Sequence, residues 1–124
     1  MTHLKRITLL VLTVFTFGVS AQDCMPEKPA QERLVNDFAG VFQASEANAI
    51  EQRLVAFNDT TSTQIAIVTV NDLCGNDAGA FAFELGEKWG VGDARFDNGV
   101  VLLYKPKTNE SRGQVFIAVG YGLE

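Results

Sequence analysis

Trp89-Gly90-Val91-Gly92-Asp93-Ala94-Arg95-Phe96-Asp97-Asn98-Gly99-Val100-Val101-Leu102-Leu103-Tyr104 is the stretch on which the reading of this chain turns. It opens as the last turn of a helix, crosses a loop rich in glycine and acid, and runs into five apolar residues that read as a buried strand. Two carboxylates, an amide and three glycines are more than a connection of this length requires. Glycine takes positive φ readily and lets backbone amides and carbonyls face a ligand. Carboxylate, amide and backbone oxygens are the ligand set of a hard cation. The simpler reading is a helix C-cap at Gly90, a loop, and an Asn-Gly turn feeding a strand.

Working outward, Phe81, Leu85 and Trp89, with Ala78 and Ala82, form the stripe of a helix that Gly90 stops, and Asn76 or Asp77 is placed to cap its start. Ile65 to Val70 is a continuous β-branched run, a strand covered on both faces. Before it, Ser45 reads as the N-cap of an amphipathic helix to about Phe57, with Ala47, Ile50, Leu54 and Phe57 at helical spacing and Asn58 to Thr63 ending it. Val100 to Tyr104 and Val115 to Val119 read as two further buried strands. The polar loop between them carries Lys105, Lys107 and Arg112, most simply a solvated tip. The order helix, strand, helix, strand, strand predicts an α/β fold, a three-layer α/β/α sandwich with a mixed sheet.

Order also fixes which loops meet. A strand-helix-strand unit from Ile65 to Tyr104 makes its two strands parallel, and a hairpin returns the last strand antiparallel. Gly120-Tyr121-Gly122-Leu123-Glu124 should then arrive beside Asp97-Asn98-Gly99, with Asp72 at the opposite end of the sheet. The partners of the central loop are therefore Glu124 and Tyr121.

The N-terminus reads as a signal peptide, residues 1–21. His3, Lys5 and Arg6 precede the apolar run Ile7 to Val19, and Val19-Ser20-Ala21 resembles a cleavage site. The run is short of the roughly 20 residues of a membrane span. Gln22 and Asp23 stand where a lipobox before Cys24 needs small residues. The expected location is periplasmic or secreted. Without the signal the chain has 8 Lys and Arg against 15 Asp and Glu, a formal charge of −7, which argues against nucleic acid and anionic membranes as partners and is compatible with cations. Residues 22–33, with Pro26 and Pro29, form a polar arm. In an oxidising compartment Cys24 and Cys74 are placed for a disulfide tying this arm to the loop after the Ile65 strand, the alternative being two free thiols.

Much chemistry is excluded. The chain's one histidine, His3, leaves with the signal, and with it any Ser-His-Asp triad or histidine-bearing zinc site. Ala80 stands where a Cys-x5-Arg phosphatase loop starting at Cys74 needs arginine. There is no GxxxxGK[ST] loop, and Tyr104 stands where an EF-hand starting at Asp93 needs its bidentate glutamate. Carboxylate chemistry remains: two or three acids able to hold Ca²⁺ or Mg²⁺.

Several segments together resemble the TPM domain family: Val35-x-Asp37 before a glycine turn, Gln64 to Val70, Trp89-Gly90-Val91-Gly92, Asp97-Asn98-Gly99-Val100 and Val119-Gly120-Tyr121-Gly122-Leu123-Glu124. The resemblance spans residues 34–124. It implies an α/β/α sandwich, exported or membrane-tethered, often described as phosphatase-like, with plant relatives acting in photosystem II repair. It also implies further helix beyond the Gly-Tyr-Gly-Leu-Glu signature, so the C-terminal part of the domain is expected to be missing here, and a membrane tether would require chain beyond Glu124. Asp37 matches the signature, yet a turn cap accounts for it more simply. Arg95 serves either to steer a phosphate or to pair with Asp93 or Asp97, the pair being simpler.

The expected metal ligands are therefore Asp97, Asn98, Glu124, Asp93 and Asp37, for Ca²⁺ or Mg²⁺. The expected function is divalent-cation binding with weak phosphatase activity. The alternative is a non-catalytic envelope module that binds a protein partner, its metal structural.

Overall fold

The computed structural model describes residues 24–93 and 95–124. The signal-peptide reading falls on residues outside them. Elements follow in the order β1 (Val35–Asp37), α1 (Ala44–Thr61), β2 (Gln64–Thr69), α2 (Ala78–Trp89), β3 (Gly99–Lys105) and β4 (Gln114–Val119), then a single 3-10 turn, Tyr121–Leu123. They build one mixed sheet in the order β1-β2-β3-β4. β1, β2 and β3 are parallel, with Gln64 opposite Gly99 and Thr69 opposite both Asp37 and Tyr104. β4 returns antiparallel, with Val119 opposite Val100. The expected α/β fold and strand directions are present.

Side chains alternate across this sheet, and one face makes the core. Ala66, Val68, Val101, Leu103 and Ala118 meet Phe81, Ala82, Leu85 and Trp89 of α2 in a single buried cluster. α2 packs over β3 and β4, whereas α1 lies against β1 and β2. Asp77 caps α2 by accepting from the Ala80 amide at 2.8 Å, and Gly90 ends it at φ 63°, as the sequence predicted.

Four expectations need correction. Helix α1 begins at Ala44 after Gln43, which makes no side-chain cap, so Ser45 lies inside it. It also runs on through Asn58 to Thr61 and stops only at Ser62, left-handed at φ 61°, whose amide donates to the Asn58 carbonyl at 2.8 Å. None of its residues is buried, and Phe57 is 41 % exposed: the helix sits at the margin of the sheet. β4 is an edge strand and not a buried one, with Val115 61 % and Ile117 56 % exposed on the face turned away from α2. Finally, Lys105 is 5 % exposed. Its ammonium donates to Ser111 Oγ at 2.6 Å, the Arg112 carbonyl at 3.1 Å and the Pro106 carbonyl at 3.3 Å, so three donors meet three acceptors. The lysine closes the β3–β4 loop from inside.

Candidate functional site

The stretch after α2 is shaped by close backbone contact. The Val91 amide reaches back to the Gly86 carbonyl at 3.0 Å, and the Gly92 amide donates to Gln64 Oε1 at 2.8 Å. A side chain on Gly92, at φ 80°, would collide with the Asn98–Gly99 backbone, and one on Gly99 with the Val91 carbonyl. The two ends of the loop thus press on each other, and only glycine fits there.

Between these ends Phe96 turns inward. It is fully buried and held at φ 49°, an uncommon conformation for a bulky residue. Its ring sits over Gly86, where a Cβ would stand 2.8 Å away, and meets Phe83 edge-on at 5.8 Å. With Phe96 anchored, Asp97 is exposed. The chain's end then docks onto this loop. Gly120 N donates to Gly99 O at 2.7 Å, Tyr121 N to Phe96 O at 3.0 Å, and Gly122 N to Asp97 O at 3.0 Å. A Cβ on Gly122 would strike Asp97 Oδ1, so the glycine leaves room for the carboxylate. This is the juxtaposition that strand order predicted.

The result is a hollow of about 400 Å³ lined by Asp93, Arg95, Asp97 and Tyr121. Tyr121 tilts its ring against Phe83 at 6.4 Å and donates its hydroxyl to Glu87 Oε1 at 2.9 Å. That hydrogen bond, then the charge of Glu87, with smaller contributions from burial and the Glu124 charge, raises the Tyr121 pKa. Glu124, directly after the Tyr121–Leu123 turn, stands at this end of the sheet. Glu87 and Phe96 were missed in the sequence reading. A signal for Glu87 existed: it lies four residues after Phe83, on the same face of α2.

Two of the expected ligands point elsewhere. Asn98 turns its amide to the Ser62 carbonyl at 3.0 Å while its own carbonyl accepts from Gln64, tying the α1–β2 turn to the loop. Asp37 ends β1, at the opposite end of the sheet. Its Oδ1 accepts from the Val41 amide at 2.8 Å and the Thr69 hydroxyl at 2.6 Å, and Oδ2 from the Phe42 amide at 2.9 Å. Burial pushes its pKa up, but the Thr69 hydroxyl and the amides of Phe42, Val41 and Gly40 outweigh burial and hold it lowered. Asp37 is a turn cap here.

As donors for a hard cation, Asp93, Asp97 and Glu124 are chemically suitable, being oxygens only. They are not drawn together. Among the described residues the one set of three possible ligand atoms within 4.8 Å of each other is Cys24, Asp72 and Cys74. The two sulfurs of that set are joined in a disulfide, which leaves no thiolate for a metal. A cation at the Asp93–Asp97 hollow would have to complete its shell with water.

The comparisons with known proteins fit this architecture. No curated protein matches the chain. Among solved structures, the solution NMR structure of the N-terminal domain of a P. gingivalis protein is similar at 28 % identity and a TM-score of 0.61. The match covers 73 % of this chain and 55 % of that one. A family model, described as the TPM domain, matches residues 35–124, from the first residue of β1 to the Asp97-docked terminus. On that match, which takes in every strand and both helices among the described residues, the chain belongs to the TPM domain family.

Proposed function

We propose that this TPM-domain protein is exported and binds a divalent cation, Ca²⁺ or Mg²⁺, at the Asp93–Asp97–Glu124 end of the sheet, with weak phosphoester hydrolysis there. The observation that carries the reading is the docking of Gly120–Gly122 onto Asp97, which brings Tyr121 into one hollow with Asp93, Arg95 and Asp97 and sets Glu124 at the same end of the sheet. The Cys24–Cys74 disulfide is in keeping with an oxidising compartment. Among the described residues no helix is long and apolar enough to cross a membrane.

In this reading Asp93, Asp97 and Glu124 supply charge and oxygen ligands, and Arg95 holds phosphoryl oxygens in the same hollow. A bound dication supplies charge neutralisation and a water of lowered pKa. Phosphate release from a generic phosphoester, with and without Ca²⁺ or Mg²⁺, tests it in wild type and Asp97→Ala. A metal-dependent rate lost in the variant is expected.

A second reading is favoured by a separate observation. β4 exposes Val115 and Ile117 on a face of the sheet that α2 does not cover, a surface suited to a protein partner. Metal binding without turnover in the same assay supports this envelope-module reading.

A further inference from the structure

A second groove, of about 420 Å³, shares only Asp93 with the Asp97 hollow and runs between the N-terminal arm and the end of α2. Lys28, Glu32 and Arg33 of the arm form one wall, and Val55, Ala66 and Trp89 lie across from them. The arm is fastened firmly at its two ends and lightly between them. At one end stand the Cys24–Cys74 disulfide, Met25 buried in the core cluster, and the Pro26 carbonyl, which accepts from Trp89 Nε1 at 3.0 Å. At the other end the amides of Leu34 and Val35 donate to Glu51. Between them, none of residues 27–33 is buried. Their side chains tie the run through an exposed Lys28–Glu32 pair at 3.8 Å and an exposed Arg33–Asn48 bond at 3.2 Å, each of small worth.

This is the construction of a strap. Its free run spans the groove, and its far end is held by one covalent bond and a few contacts around Trp89. We propose that the Cys24–Cys74 disulfide is the latch of this strap, so that the arm walls the groove and shields Trp89 only in the oxidised chain. Opening requires a dithiol. Its two thiols pass two electrons and two protons to the disulfide, Cys24 and Cys74 become thiols, and the dithiol closes to its own disulfide. Asp72 accepts from the Cys74 amide at 2.8 Å, and its carboxylate lies within 4.8 Å of both sulfurs. Negative charge there disfavours the thiolates through which exchange runs, which makes the latch slow to open. The core cluster of α2 and the sheet does not depend on the arm beyond Met25, so opening leaves the domain folded.

Trp89 is the chain's one tryptophan and is 5 % exposed, so its fluorescence reports the strap directly. The protein is purified oxidised, without reductant, and then treated with dithiothreitol. Thiol titration follows the bond, far-UV circular dichroism follows the fold, and acrylamide quenching follows Trp89. The expected result is two new thiols, unchanged helicity, and a quenching constant raised at least about twofold by local opening. The Cys24→Ser, Cys74→Ser double variant should show the same quenching without reductant. Two thiols with unchanged quenching would overturn the latch, because the arm would then stay in place unaided. Loss of helicity on reduction would overturn it as well, since the disulfide would then be a staple of the whole fold. In Asp72→Asn, reduction should be faster, and an unchanged rate would remove Asp72 from the device.

Discussion

The two ends of the sheet treat their charged residues differently. At the end where the parallel strands finish, Asp37 is bonded to Val41, Phe42 and Thr69, Lys105 to Pro106, Ser111 and Arg112, and Asp72 to the Cys74 amide. Each of these groups closes a turn or loop, and its bonding capacity goes to the chain itself. At the end where β3 starts, Asp97 rests on Gly122 in a hollow shared with Asp93, Arg95 and Tyr121. The docking bonds there are made by the backbone, through the Phe96, Asp97 and Gly99 carbonyls, while the Asp93, Arg95, Asp97 and Tyr121 side chains line the hollow. A charged group in a loop is therefore not by itself a sign of function. What distinguishes the two ends is whether the loop's carboxylate closes the loop, as Asp37 does, or lines a hollow, as Asp97 does.

The contrast can be tested at four points. The largest effect is expected at Lys105. Lys105→Met leaves three acceptors without their ammonium and should cost about 2–3 kcal/mol in urea unfolding. The control Lys107→Met, at an exposed position, should stay within about 0.5 kcal/mol. Equal costs would show that the buried lysine does not organise the β3–β4 loop.

Cation binding should come next in size and act at one end only. At a free concentration 100-fold above the dissociation constant, a cation that binds only the folded chain stabilises it by about 2.7 kcal/mol. That raises the melting temperature by several degrees relative to chelator. Asp97→Asn should abolish the rise and Asp37→Ala should keep it. If Asp37→Ala abolishes it and Asp97→Asn does not, the two ends have been assigned the wrong way round.

Asp37→Ala should itself cost about 1–2 kcal/mol near neutral pH, the range for removing a capping carboxylate. Because the folded pKa of Asp37 is lowered, its stabilisation is present above the ordinary carboxylate range and is lost as pH falls through the folded value. The gap between wild type and variant should therefore narrow towards pH 3. A gap that is constant from pH 7 to pH 3 would falsify the turn-cap assignment.

The smallest stability effect is expected at Gly122→Ala. The new methyl meets the Asp97 side chain, which can swing away, so the fold should lose no more than about 1 kcal/mol. The cation response should nonetheless fall sharply, because Asp97 must leave its place. An unchanged response would mean that Asp97 does not act from the position seen here.

Much of this was legible along the chain, and the parts that were not share a cause. Helix α2 was readable because Asp77, the Phe81-Leu85-Trp89 stripe and Gly90 act within a few residues of each other. The meeting of Gly120–Gly122 with Asp97 was readable because strand order and handedness leave a returning hairpin few places to go. The fate of Asn98 was not, since its partner Ser62 lies thirty-six residues away. The extent of α1 was not either, since its stop is Ser62 in the left-handed conformation, which a serine does not announce.

The sequence by itself determined the two helices, the strands β2, β3 and β4 with their directions, that Cys24 and Cys74 could pair only with each other, and the end of the sheet to which Glu124 returns. These follow from periodicity, capping and connectivity, which are local or topological. Only the tertiary structure decided that Lys105 is buried, that Asp37 is fully engaged by Thr69 and two amides, that Phe96 wedges over Gly86, and that β4 leaves one face open. Each of those depends on which atoms from distant segments fill the same few ångströms of space. Residue spacing carries no record of that until the sheet has brought the segments together.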